Sequence, residues 1–142
     1  MILKIEHIGI AVADEEVAQS TFDRLFGKNP YKTEDVTSEG VRTVFYDLNT
    51  SKLELLKDTK GGEGVIDKFI KKRGEGMHHL ALEVDDIHEE MRRLRAEGFI
   101  FIHEKPKEGA DNKLICFLHP KSTNGVLVEL CQSKEQNSSD KG

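Results

Sequence analysis

Apolar and polar residues take turns along the opening stretch LKIEHIGIAVAD. Ile8, Ile10 and Val12 fall on one side of an extended chain, and His7, Gly9 and Ala11 on the other. This alternation predicts a strand over Lys4–Val12. From about Glu15 the period lengthens, and Val17, Phe22, Leu25 and Phe26 share one face of a helix that Gly27 and Pro30 end. Two further strands, Val41–Leu48 and Lys52–Lys57, are joined through Asn49-Thr50-Ser51. Gly61, Gly62 and Gly64 then mark a linker, which runs into a short amphipathic helix carrying Val65, Ile66, Phe69 and Ile70.

The order then repeats. GMHHLALEVDDI contains a strand, His78–Val84, and a helix follows from about Asp86 to Glu97 with Ile87, Met91 and Leu94 on its apolar face. Strands are expected at Phe99–His103, Leu114–Leu118 and Gly125–Cys131. His7, Val12 and Asp14 match His79, Val84 and Asp86 at one constant offset of 72 residues, and LELL around Glu54 matches VELC around Glu129. Two matches in the same order, separated by similar elements, indicate a duplicated unit.

Alternation also places four polar side chains. His7 and His79 open their strands on the faces opposite Ile8/Ile10 and Leu80/Leu82, beside small residues. Glu54 and Glu129 likewise oppose Leu53/Leu55 and Val128/Leu130. A histidine at a strand start is ordinarily a surface or hydrogen-bonded residue, and a glutamate between leucines ordinarily faces solvent. Four such residues at matched positions of a duplicated unit point instead to a site. If the sheet curls they converge, and two imidazoles with two carboxylates suit one divalent ion, Co²⁺, Ni²⁺, Mn²⁺ or Zn²⁺. Parity assigns His78 to the face opposite His79. His88, His103 and His119 are expected to be structural or solvated.

Composition narrows the rest. A chain of 142 residues makes one domain of two small halves, 1–133, with modules at about 3–58 and 77–132, a linker helix at about 63–73 and a disordered tail over 134–142. The net charge of −5 with no basic block argues against nucleic acid. Cys116 and Cys131 each sit in an apolar run and are expected to be reduced, which fits a cytoplasmic protein. No run is long enough to span a membrane, and the first residues lack a signal-peptide core.

The stretches HIGIAV, KLELLKD, GMHHLALEVDDI and FLHPKSTNGVLVEL resemble the vicinal oxygen chelate (glyoxalase/bleomycin resistance/dioxygenase) superfamily over roughly residues 3–132, and the last two resemble its methylmalonyl-CoA epimerase family. The resemblance implies an α+β fold: two tandem βαβββ modules forming one curled mixed sheet around a metal-containing cleft, helices outside, usually dimeric. It places the metal ligands on His7, Glu54, His79 and Glu129, with Co²⁺ the first expectation. It implies epimerisation of (2R)- and (2S)-methylmalonyl-CoA by α-proton abstraction through a metal-stabilised enolate, with Glu129 as the base. Some relatives place a second acid where Thr43 stands here; Asp47, Glu83 or a metal-bound water are the fallback bases. The alternatives are a glyoxalase I-like lyase acting on a glutathione hemithioacetal, for which the first helix offers only Arg24, and a metal-free small-molecule-binding protein. Lys52, Lys105, Lys107, Lys113 and Lys121 are candidate phosphate contacts for an acyl-CoA.

Overall fold

A computed structural model describes residues 1–134. Strand β1 (Ile2–Ala11) leads into helix α1 (Glu15–Phe26), then β2 (Lys32–Val36), β3 (Val41–Asp47) and β4 (Lys52–Asp58). Helix α2 (Val65–Arg73) links to the second unit: β5 (Gly76–Val84), α3 (Ile87–Ala96), β6 (Lys107–Glu108), β7 (Lys113–Phe117) and β8 (Val128–Ser133). All eight strands form one mixed sheet in the order β2-β3-β4-β1-β5-β8-β7-β6. Each unit contributes half of it, with β1 parallel to β4 and β5 parallel to β8, and the halves join where β1 and β5 run antiparallel.

The aspartate that closes each copy of the repeated stretch has a local job. Asp14 accepts a hydrogen bond from Val17 N, and Asp86 accepts one from Glu89 N, so each is a helix N-cap. Such caps contribute about 0.5–2 kcal/mol each. Helix α1 then buries Phe22 and Phe26 against Ile10, Val12 and Tyr46, while α3 lays Ile87, Met91 and Leu94 on Val84, Cys116 and Leu130. Both helices thus occupy the face predicted from alternation. Helix α2 lies at one end of the cleft, where Ile66 meets Ala11, Val41 and Leu56.

Several boundaries differ from expectation. Phe99–His103 is not a strand: only Phe101 bridges to Leu118, and Phe99 and Phe101 instead pack on the α3 core. Its apolar spacing reflects burial rather than ladder pairing. Strand β2 went unrecognised because KTEDV carries charge, as an edge strand exposed on one side commonly does. The segment expected to begin the last strand at Gly125 follows a 3₁₀ turn, Pro120–Thr123, so β8 starts at Val128. Cys116 and Cys131 are both buried and free. Of the expected tail, Lys134 bonds through its backbone N–H to Asn112 O, and the remainder lies outside the described residues.

Candidate functional site

Curling brings the middle strands' inner faces around one cavity of about 270 Å³. His7 on β1, Glu54 on β4, His79 on β5 and Glu129 on β8 all line it, and all four are buried. His7 Nε2 lies 2.9 Å from His79 Nε2 and 3.6 Å from a Glu129 oxygen, and His79 Nε2 is 3.7 Å from the other Glu129 oxygen. Glu54 is placed differently: its carboxylate sits 3.0 Å from His7 Nδ1, on the far side of that ring. The expected quartet is therefore one trio of facing donors plus a fourth carboxylate reached through His7.

The trio fits a divalent ion. With ligand bonds near 2.1 Å, neighbouring donors stand about 3.0 Å apart in an octahedron and about 3.4 Å in a tetrahedron, close to the 2.9–3.7 Å found here. The donor types, two imidazoles and carboxylates, suit a borderline transition metal.

Two strand irregularities shape the site, and alternation alone missed both. Between Ile5↔Leu82 and His7↔Ala81, β1 carries one extra residue, Glu6; between Gly9↔His79 and Ile10↔Met77, β5 carries one extra residue, His78. Each bulge keeps two successive side chains on the inner face. Glu6 consequently is buried beside His7, with its Oε1 3.1 Å from His7 Nδ1. The assignment of His78 to the opposite face is corrected by the same geometry: His78 lines the cavity, its Nδ1 is 3.0 Å from His79 Nδ1, and its ring packs edge-on to Phe69. Glu6 and His78 stand 72 residues apart, as His7 and His79 do. The repeat itself thus carried a signal for a partner behind each histidine.

Charge follows from this arrangement. Burial opposes protonation of His7, yet its hydrogen bonds to Glu54 and Glu6 outweigh burial and lift it to about 10. Burial and the neighbouring His7 charge hold His79 neutral, well below the usual histidine range. Burial pushes the Glu129 carboxyl up to about 7, against the pull of His7 and with the help of Glu54. Glu6 is opposed by burial but held down at about 2 by His7, Lys52 and Lys113. In the metal-free protein a proton on His7 Nε2 then points at His79 Nε2, where an ion would otherwise sit.

Other expected residues lie elsewhere. Asp47 is exposed and accepts from Asn49 N; neither it nor Glu83 lines the cavity. Thr43 is buried and lines the cavity's wall on β3. Arg24 is on α1, bonded to Ser20 O, and no arginine is among the lining residues. His103, expected to be structural or solvated, is exposed and also lines the cavity, whereas His88 and His119 do not. Lys107 and Lys113 line it too, and Lys105 and Lys121 do not.

A chain with this paired fold and inner His/Glu site belongs to the Glyoxalase/Bleomycin resistance protein/Dioxygenase superfamily, whose family model matches residues 6–117. Within it, the chain is 41% identical over 128 residues to the mitochondrial methylmalonyl-CoA epimerase of Dictyostelium discoideum, covering 89% of this chain and 76% of that one. It is 36% identical over 133 residues to the ethylmalonyl-CoA/methylmalonyl-CoA epimerase of Cereibacter sphaeroides, covering 93% and 99%. The crystal structure of methylmalonyl-CoA epimerase from Mycobacterium tuberculosis superposes with a TM-score of 0.90 at 31% identity, covering 97% of this chain and 93% of that one. Among the described residues, no helix is long and apolar enough to cross a membrane.

Proposed function

We propose that this chain is a metal-dependent methylmalonyl-CoA epimerase, interconverting the 2R and 2S thioesters by removal and return of the α-proton. The observation that carries the reading is the convergence of His7 Nε2, His79 Nε2 and Glu129 in a buried, mostly apolar cleft. His7, His79 and Glu129 would hold the ion, with Glu54, now 3.0 Å from His7 Nδ1, as the fourth ligand. Co²⁺ is the first choice, with Ni²⁺, Mn²⁺ or Zn²⁺ as alternatives. Such an ion would supply Lewis acidity to the bound substrate, which would make its α-proton easier to remove.

The protein's own residues do the rest. Glu129 is the base: its two carboxylate oxygens stand 3.6 and 3.7 Å from the Nε2 atoms of His7 and His79, facing the cleft, where the carboxylate can take and return the α-proton. Val41, Leu56, Ile115 and Phe117 line the cleft with apolar side chains that keep water from competing for that proton. Thr43 on β3 offers a hydroxyl that can pass a proton on but cannot hold one as an anion at neutral pH. A glutathione hemithioacetal finds no arginine in the cleft for its carboxylates, which disfavours the lyase alternative. A metal-free binding role would leave two glutamates and two histidines buried together without a ligand to require them.

The test separates a ligand from a base. Glu129→Gln keeps an oxygen donor but cannot accept a proton. Loaded fully with metal, it is expected to exchange the substrate α-proton at least about a hundredfold more slowly than the parent, the usual cost of losing a general base. Glu54→Gln is expected to act through metal affinity and to recover activity as metal is raised. Normal exchange in metal-loaded Glu129→Gln refutes the assignment. We further propose a homodimer, supported by the exposed apolar residues Met1, Ile2, Leu3 and Ile5, and a cytoplasmic location, supported by the free, buried Cys116 and Cys131.

A further inference from the structure

The sheet's two free edges, β2 and β6, come together across the mouth of the cleft through charged side chains. Asp111 occupies the turn between β6 and β7, in the left-handed region at φ 60°. Its two carboxylate oxygens are taken by two lysines of the first unit, Lys32 Nζ and Lys52 Nζ, each at 2.6 Å. The Asp111 backbone N–H donates to Glu34 on β2 at 3.0 Å. A second link crosses nearby, with Lys107 Nζ 2.7 Å from Glu39. Asp111, Glu39 and Lys107 all line the cavity, so these links stand at its rim.

Two observations give this clasp a function. The first is size: the cleft, about 270 Å³ and open at its mouth, falls below the roughly 300–1,000 Å³ of pockets that hold drug-sized ligands. A coenzyme A thioester is larger than those ligands. Only its acyl end fits beside the His/Glu site, and the phosphate-bearing arm must leave through the rim. The second is charge. The chain's net charge of −5 repels a polyanion, so attraction depends on local lysines, and three of them stand at the mouth. Each already holds a carboxylate of the opposite unit.

We propose that Lys32, Lys52 and Lys107 form the binding site for the anionic phosphate arm of the acyl-CoA substrate, with Asp111 and Glu39 as internal competitors that occupy these lysines until that arm displaces them. This rests on the acyl-CoA reading above. Exchange of one anion for another conserves the lysines' ionic partners, so displacement strands no cation, while the two rim carboxylates are released toward solvent. Half-exposed pairs of this kind are individually weak, which lets a multiply charged phosphate arm outcompete them. The geometry also sorts the candidate lysines: Lys105 and Lys121 neither line the cleft nor join the clasp.

Binding of coenzyme A, 3′,5′-ADP and pantetheine to the metal-loaded protein, by calorimetry at two salt concentrations, tests the proposal. Lys32→Gln and Lys107→Gln are each expected to weaken coenzyme A and 3′,5′-ADP by about tenfold, the scale of one charge-assisted hydrogen bond, and to flatten the salt dependence. Pantetheine, which lacks phosphates, is expected to bind all variants alike. Asp111→Asn and, independently, Glu39→Gln are expected to tighten coenzyme A several-fold by removing a competitor. If the clasp only supports the fold, all four substitutions lower the melting temperature and leave coenzyme A affinity within about twofold, and that overturns the proposal. A parent protein that binds metal but neither coenzyme A nor 3′,5′-ADP removes the acyl-CoA reading itself. A parent that binds both while the lysine variants are unaffected removes the clasp inference alone.

Discussion

Gly9→Ala examines the site through a residue that carries no chemistry. Gly9 lies on β1 opposite His79 of β5, and its backbone is in the ordinary extended region, so alanine fits the chain conformation. The space is the obstacle. A Cβ built there lies 2.6 Å from His79 Nδ1 and 3.0 Å from its Nε2, and closer still to Cε1. Heavy atoms settle at about 3.5–4.0 Å, so the imidazole must retreat by about 1 Å. Functional geometry tolerates about 0.5 Å, and a shift of about 1 Å commonly costs about a hundredfold.

Stability is expected to respond far less than binding. Overpacking costs about 1–3 kcal/mol, partly offset by about 0.5–1 kcal/mol gained on replacing a strand glycine. Metal titration and thermal melts on one preparation give both quantities. Gly9→Ala should lose about a hundredfold in metal affinity while its folded state survives. In a His79→Ala background the same substitution should cost almost nothing further, because the ring it displaces is gone. Metal binding by Gly9→Ala within about threefold of the parent would falsify the claim that His79, held against a bare backbone, faces the ion.

His79→Ala is expected to lose most of its metal by elemental analysis. His78→Ala should weaken binding only about 10–100-fold, since His78 acts behind His79 rather than on the ion. The reverse ranking would exchange their roles. Proton and metal should compete for the site: His7 and Glu129 are both raised, so their own contribution to metal-free stability is fully present at low pH and is lost as pH climbs from about 4.5 through 7 for Glu129 and from about 6.5 toward 10 for His7. Stabilisation by added metal is therefore expected to grow between pH 6 and pH 8.5 in thermal melts, and a shift independent of pH would refute that competition. Assembly is checked by light scattering, with a dimer expected; a 16.0 kDa particle at micromolar concentration rules it out.

Much of this protein is legible in local pattern. Duplication shows in the constant spacing between His7 and His79 and between Asp14 and Asp86, because equivalent positions of the two units meet equivalent local demands: an inward-facing imidazole in one case, a helix cap in the other. Alternation likewise places His7, Glu54, His79 and Glu129 on the face away from α1 and α3, since a strand's side chains have a period of two and its apolar side must be covered. Edge strand β2 escaped this logic because a strand with one solvated side keeps charge that a core strand could not.

What alternation cannot supply is the point at which the period breaks. Bulges at Glu6 and His78 depend on how β1 and β5 pair across the junction of the two units, a contact between segments 72 residues apart. Those bulges put a carboxylate behind His7 and an imidazole behind His79. The clasp is tertiary in the same sense: nothing near Lys32 or Lys52 in the chain announces Asp111, and only the curl of the whole sheet brings its opposite edges within 2.6 Å of ionic contact.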